Sequence, residues 1–469
     1  MRVGRGLLLW LAFAGCSSAF AAIGDLPVPP QVRVEVSRDG SDWFADFHFD
    51  RGVEAWVFPR SDITRDSGEP WRAQSWTVET RGVQLKRLGH YDALVADRGE
   101  VPKRVRVRIK PFPAGMRADY SNALIFTDGS VAMFVAQFES FPMDSQRAAR
   151  QLPSDLNNQI VPQAELEYVF RDAAGPVLLD GRRERGAKTT KSDTYAFFGS
   201  TRPLETPYMA AMLDPQLPAW IRESLSSAVP ALLSRYTQEL GALPDLKPTL
   251  LVSWAGPTPR VVSRGGSVLR GMIVMTYEGE GVLTETAEQR HQGLWFIAHE
   301  AAHFWVGQTA GYEYARDAWI TEGGADLLAV RAVAEIEPAY DPRIALNEAI
   351  ADCARLTKRH GIESSRDRNE HRAYYACGAV FGLVAEAGSG RSFYKFARKL
   401  LDENRADGII TRAEWLAALD SVTRKPALSR DILRLLERGV SDPPEFLAEL
   451  LTKAGVDFEL DEKGVPRLR

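Results

Sequence analysis

The chain has 469 residues, 45% hydrophobic and 26% charged, with a formal net charge of −4. Domains run to ~100–200 residues, so this length excludes one compact core and predicts two or three domains of ordinary soluble composition. So slight a charge gives no electrostatic reason to expect nucleic acid as a partner.

Residues 1–22 read as a targeting segment. Arg2 and Arg5 form a short basic start, Leu7 to Ala14 is an apolar run too short to span a bilayer, and small residues follow. Two exits are open. Ala19-Phe20-Ala21 is a small-x-small cleavage site, whereas Phe13-Ala14-Gly15-Cys16 resembles a bacterial lipobox, in which a lipidated Cys16 would become the first residue and the one membrane attachment. Both predict export, to the periplasm, to a lipid-anchored position or to the medium. Both leave Cys353 and Cys377 as the cysteines able to pair, either bonded in an oxidising compartment or as two buried thiols; the bond is the expectation.

From 23 to 205 the pattern is mostly β. Val32, Val34 and Val36 alternate with polar residues before an Asp39-Gly40 turn, a hairpin signal. Val105, Val107 and Ile109 alternate with Arg104, Arg106, Arg108 and Lys110, which predicts a strand with a solvated basic face. Leu124 to Phe126, Asp128-Gly129 and Val131 to Phe138 predict a second hairpin. From 206 to 469 helical spacing takes over: Trp220, Leu225, Val229, Leu232, Leu233 and Tyr236 recur at three- and four-residue steps until Pro244 and Pro248. Leu250 to Val252 and Met272 to Met275 read as strands, and the Pro/Gly-rich stretch from Pro257 to Gly266 as a loop. Asp402 to Glu414 has Gly408 and Glu414 placed as in a calcium loop, but Glu403 and Arg405 stand at its first and third positions, and the arginine rules it out.

The chemistry concentrates in His299-Glu300-Ala301-Ala302-His303. Residues four apart share a helix face, so two imidazoles can hold one zinc at ~2.0–2.1 Å, with Glu300 reaching a water beside it. Apolar Leu294 to Ile297, Phe304 and Trp305 predict a buried helix, where unpaired charge is costly without a cation. Glu322, nineteen residues after His303 in Trp319-Ile320-Thr321-Glu322-Gly323-Gly324-Ala325, supplies a third ligand and leaves a fourth position open, as catalytic rather than structural zinc requires. His291 reads as a packing or surface residue, and His360 and His371 as solvated.

With these residues in place the chain resembles the aminopeptidase N family of zinc peptidases, which pairs His-Glu-x-x-His with a glutamate at this spacing in a Trp-Leu-Asn-Glu-Gly-Phe-Ala-like segment. The resemblance implies a multidomain α+β fold: an N-terminal antiparallel β-sandwich-like domain, then a thermolysin-like, mainly helical catalytic domain, without the family's large C-terminal helical domain. It implies one zinc per chain and peptide substrates. The family's transition-state tyrosine, in Tyr-x-Lys-Gly, maps to Tyr375 in Tyr375-Ala376-Cys377-Gly378, with Tyr374 as the adjacent competitor. The family's Thr-Gln-x-Glu maps to Ala136-Gln137-Phe138-Glu139, making Gln137 and Glu139 substrate-binding candidates. Its Gly-Ala-Met-Glu-Asn-Trp-Gly maps to Gly265-Gly266-Ser267-Val268-Leu269-Arg270-Gly271, where Gly265 and Gly266 would let an extended substrate approach a strand edge. The amine-binding glutamate of that motif is Val268 here; Glu139, Glu278 or Glu280 would have to substitute.

The expected reaction is amide hydrolysis, with zinc lowering the pKa of a water to ~7, Glu300 as general base and Tyr375 donating to the oxyanion. Removal of N-terminal residues is the leading reading. Cleavage without need of a free amine is the alternative that Val268 raises, and a catalytically silent binding module is the third. Oligomeric state is not legible.

Overall fold

The computed structural model describes residues 31–117, 119–156, 159–243 and 247–469. The targeting segment with Cys16, and the break at Pro244, lie outside them. The chain is a mixed α+β fold, β-rich in its N-terminal part and helical towards its C-terminus.

Residues 31–198 supply three sheets of six, four and five strands. The first hairpin forms as its alternation predicts: Gln31–Asp39 pairs with Asp42–Phe49, and Val34 and Phe47, opposite one another, are both buried. This region departs from the antiparallel arrangement expected of it. Glu165–Asp172 lies parallel to Gln31–Asp39. A parallel neighbour needs a long crossover rather than a tight turn, and here the chain makes other strands before returning. On Arg104–Ile109 the valines and Ile109 are buried, while Arg106 and Arg108 face outward onto Asp46, Asp42 and Glu79. The second hairpin is shorter than its apolar run: its pairing ends at Met133, and Val135–Phe138 winds into a 3-10 turn.

Residues 204–278 build a fourth, five-stranded sheet, in the order Leu204–Glu205, Ala210–Leu213, Thr249–Trp254, Met272–Glu278, Ser263–Leu269. Three neighbours run parallel, and Ser263–Leu269 closes one edge antiparallel to Met272–Glu278. The predicted loop therefore ends at Val262. Gly265 and Gly266 lie in the edge strand opposite Thr276 and Met275, because cross-strand pairing outweighs the turn preference of their composition. Gly266 has no room for a side chain: a Cβ there would lie 2.7 Å from the carbonyl oxygen of Val274.

This sheet packs by one face against the N-terminal region. Leu124, Phe126, Phe134 and Phe197 meet Met212, Leu251, Met272 and Val274 in one apolar seam. Buried Asp214 ties across it, accepting the backbone N–H of Thr127 at 2.9 Å and that of Trp254 at 3.2 Å. The other face carries the helices, among them Ala219–Leu240, Ala287–Ala302, Trp319–Ile336, Pro342–Leu356 and Arg372–Gly388. A disulfide joins Cys353 to Cys377, with Cα atoms 4.8 Å apart, and so staples Pro342–Leu356 to Arg372–Gly388. Among the described residues no helix is long and apolar enough to cross a membrane.

Candidate metal centre and active-site cleft

The helix Ala287–Ala302 begins at Thr286, whose hydroxyl accepts the N–H of Gln289 at 3.2 Å. Its last turn carries His299 and Glu300, and His303 caps it. Glu322 stands in the first turn of the neighbouring helix Trp319–Ile336. The Nε2 atoms of His299 and His303 are 3.0 Å apart, and Oε2 of Glu322 is 3.5 and 3.4 Å from them. A tetrahedral ion with bonds of ~2.0–2.1 Å separates its ligand atoms by ~3.3 Å, so these three donors have the spacing zinc requires.

Both rings are held with Nε2 turned inward. Nδ1 of His299 lies 2.8 Å from Oδ1 of Asp326, and Nδ1 of His303 lies 3.0 Å from the carbonyl oxygen of Val306. Such outer partners set ring orientation and tautomer in metal sites. Asp326 is one helical turn after Glu322, so a single helix face carries one candidate ligand and the residue that steadies another.

The electrostatics also call for a cation. Glu300, Glu322 and Asp326 crowd the two imidazoles, and besides those rings Arg372, 3.5 Å from Asp326, is the one basic side chain in ion-pair contact with any of the three among the described residues. Burial works against a charged His299, yet hydrogen bonds to Asp326 and Glu322 raise its pKa to about 10. Burial pushes the Glu300 carboxyl up, against the pull of both histidines. Burial also acts to raise Glu322, but hydrogen bonds to the same histidines carry it well below the carboxylate range. A buried cluster with this excess of negative charge is stabilised by a dication at the point where its donors converge.

Tyr375 joins them from Arg372–Gly388. Its ring stacks beside His299 with centroids 5.7 Å apart, and burial, with its hydrogen-bonded neighbour Glu322, holds its hydroxyl protonated well above the usual range. Tyr374 is buried and has Arg366, Asp367 and Arg368 as its charged neighbours. Consecutive helical residues point ~100° apart, so only one of the pair can face the metal donors.

No protein-family description matches this chain, and no curated protein matches it in sequence. Its backbone is similar to solved zinc metallopeptidase structures. An M1 zinc metallopeptidase from Deinococcus radiodurans aligns with 88% of this chain and 93% of its own at 13% identity and a TM-score of 0.44. A mutant M1 zinc metallopeptidase from the same organism, bound to a Tyr-Ser-Ala substrate, aligns with 88% and 95% at 12% identity and 0.45. Native yeast LTA4 hydrolase aligns with 87% and 68% at 14% identity and 0.49. What the site can do follows from its own residues.

The edge strand Ser263–Leu269 borders the metal donors, with a cavity at each end. At its C-terminal end a chamber of about 570 Å³ is lined by Val268, Arg270, His303, Glu322, Arg60 and Asp193, with Tyr120 and Tyr312 also on its wall. At its N-terminal end Arg264, Trp295, His291, Tyr340 and Asp326 line a second cavity of about 780 Å³.

Two substrate-binding expectations change here. Gln137 is 2% exposed, and its amide nitrogen donates to the carbonyl oxygens of Phe134 at 2.8 Å and Asn122 at 3.0 Å. It pins the 3-10 turn rather than reaching a substrate. Glu139 follows that turn, partly buried; burial raises its carboxyl, with Arg60, Ser192 and Asp119 as neighbours. Glu278 pairs with Ser263 and accepts from Thr258 at 2.6 Å, at the opposite end of the strand from Val268, so it cannot take over there. Asp326 was not singled out from the sequence, although its place four residues after Glu322 was a signal that could have found it. Arg60, Asp193 and Tyr312 had no signal, because distant loops bring them to the chamber.

Proposed function

We propose that this chain hydrolyses peptide bonds with one zinc ion held by His299, His303 and Glu322. The observation that carries the reading is the triangle of donors 3.0, 3.4 and 3.5 Å apart, with Glu300 and Tyr375 beside it. When bound, zinc supplies Lewis-acid polarisation of the scissile carbonyl and acidification of a water. Glu300 accepts the proton of the attacking water and passes it to the leaving amine; its burial raises its proton affinity towards that task. The Tyr375 hydroxyl, kept protonated, donates a hydrogen bond to the oxyanion that develops. Ser263–Leu269 offers a free edge to an extended peptide, main chain to main chain. In this reading the catalytic half is thermolysin-like, with an edge strand beside the His-Glu-x-x-His helix and the third ligand on the next helix. A silent binding module would have no use for Glu300. The Cys353–Cys377 bond suits the export expected from residues 1–22.

Removal of N-terminal residues is the finer reading, and Tyr120 favours it. Its hydroxyl donates to the carbonyl oxygen of Val268 at 3.3 Å, occupying an acceptor that a longer peptide would need to extend its pairing. Asp193 and Glu139 are the carboxylates that could meet the amine. Cleavage without a free amine is favoured by Arg60 and Arg270, cations in the chamber where an ammonium would sit. One fluorogenic peptide series, with free and acetylated N-termini, before and after chelation, separates the readings. Chelation-sensitive cleavage of free-amine peptides alone supports the first, and equal cleavage of both forms supports the second. Cleavage that survives chelation refutes the zinc mechanism.

A further inference from the structure

The chamber at the Arg270 end of the edge strand does not stop at Asp193. A second cavity, of about 310 Å³, shares Asp193 and Arg270 with it and continues along the seam between the N-terminal region and the fourth sheet. Its walls carry Arg182, Lys191 and Lys247 besides Arg270, with Asp180 and Asp193 as their acidic counterparts. The charges are not equivalent. Lys247 lies 3.3 Å from Glu205, and Arg60 lies 3.2 Å from Asp119. Among the described residues Arg182, Lys191 and Arg270 are exposed and make no ion pair. In the peptidase reading Glu322 is taken up by the metal. The passage that leads away from the metal donors at this end is therefore walled by five basic side chains, three of them unengaged, against two acidic ones outside the metal triad.

At the other end of the strand no such excess exists. Arg264 is half-buried and directed at the carbonyl oxygen of Gln289 and at Gln292, and Arg372 is bound to Asp352 and Asp326. Asp341 is paired with Arg343, and Glu288 and Glu348 add negative charge, so that end is apolar and acidic. A substrate laid along Ser263–Leu269 thus meets opposite fields at its two ends, and like charge at either end is disfavoured.

We propose that the seam from His303 past Arg60 and Arg270 to Arg182 and Lys191 selects polypeptide substrates with acidic side chains on one side, and only one side, of the scissile bond. This rests on the peptidase reading but not on whether a free amine is required, since the acidic group is recognised through a side chain. Chain direction on the edge strand decides which side of the bond is meant, and the experiment reads it directly.

The test uses three fluorescently labelled peptides, each prepared with a free and with an acetylated N-terminus, that differ only by Glu or Gln at the positions flanking the scissile bond: acidic before it, acidic after it, or neutral. Binding is measured to the zinc-loaded Glu300→Gln protein and cleavage with the wild type. One acidic peptide is expected to bind about tenfold more tightly than the neutral one, as a few partly screened charge contacts provide, with the advantage shrinking in high salt. Arg182→Ser, Lys191→Ser and Arg270→Ser combined should bring the ratio close to one; all three residues are exposed, so folding is not at stake. Equal binding of the three peptides, equal preference for both acidic placements, no binding at all, or an advantage that survives the triple substitution overturns the proposal. Charge-selective binding with cleavage of neither the free-amine nor the acetylated form by the wild type would instead remove the peptidase reading and leave the seam's selectivity standing.

Discussion

Gly323 and Gly378 touch backbone to backbone: a Cβ on Gly323 would lie 2.2 Å from the Cα of Gly378, and one on Gly378 would lie 2.3 Å from the carbonyl oxygen of Trp319. Gly323 follows the ligand Glu322, and Gly378 is three residues after Tyr375. The crossing of Trp319–Ile336 with Arg372–Gly388 therefore sets how closely tyrosine and ligand approach. Gly378→Ala should destabilise the fold by ~1–3 kcal/mol through overpacking, and it should lower zinc affinity as the helices part. Gly324→Ala is the control. A Cβ there meets nothing within 4 Å, so it should stabilise by about 1 kcal/mol, as alanine for glycine does inside a helix. Thermal melts and zinc titrations on both variants check this, and equal behaviour would refute it.

Asp326 holds Nδ1 of His299, so Asp326→Asn should weaken zinc binding by about 10–100-fold while leaving the helices in place. Competition with a fluorescent chelator measures it. Wild-type affinity in the variant would show that the ring is steadied by packing against Trp295 and Tyr375 alone.

Glu300 and Tyr375 border the donors without belonging to them, and their variants should keep a full equivalent of zinc. Glu300→Ala should lose at least ~10²-fold in rate as the general base disappears. Tyr375→Phe should lose ~10²–10³-fold, mainly in kcat, as the oxyanion donor disappears. Zinc content and steady-state kinetics on each decide the matter. An unchanged Tyr375→Phe rate would remove that residue from the mechanism, and Tyr374, turned towards Arg366, offers no replacement.

The Cys353–Cys377 bond closes a loop of 24 residues, for which chain entropy predicts ~3 kcal/mol of stabilisation. Cys353→Ser with Cys377→Ser should lower the denaturation midpoint accordingly. Because Cys377 is two residues from Tyr375, the double variant should also lose activity before it unfolds. Peptide mapping without reductant should recover the linked pair, and two free thiols would refute it.

The histidine pair of the candidate metal site was legible because its geometry is local. Four-residue spacing places His299 and His303 on one helix face whatever surrounds them. Alternation likewise marked the first hairpin and the solvated arginines of Arg104–Ile109, since a strand's two faces are set by parity alone. Tertiary structure decided the rest. Gly265 and Gly266 became an edge strand because Met272–Glu278 was there to pair with, and Gln137 turned inward because Asn122 and Phe134 offered carbonyls that water would otherwise have satisfied. Arg60, Asp193 and Arg270 meet in one chamber only because an apolar seam docks the N-terminal sheets on the fourth sheet. Local periodicity in a sequence reports which face of an element is buried. Which distant loops converge on that face depends on how whole sheets close upon one another, and no run of neighbouring residues encodes it.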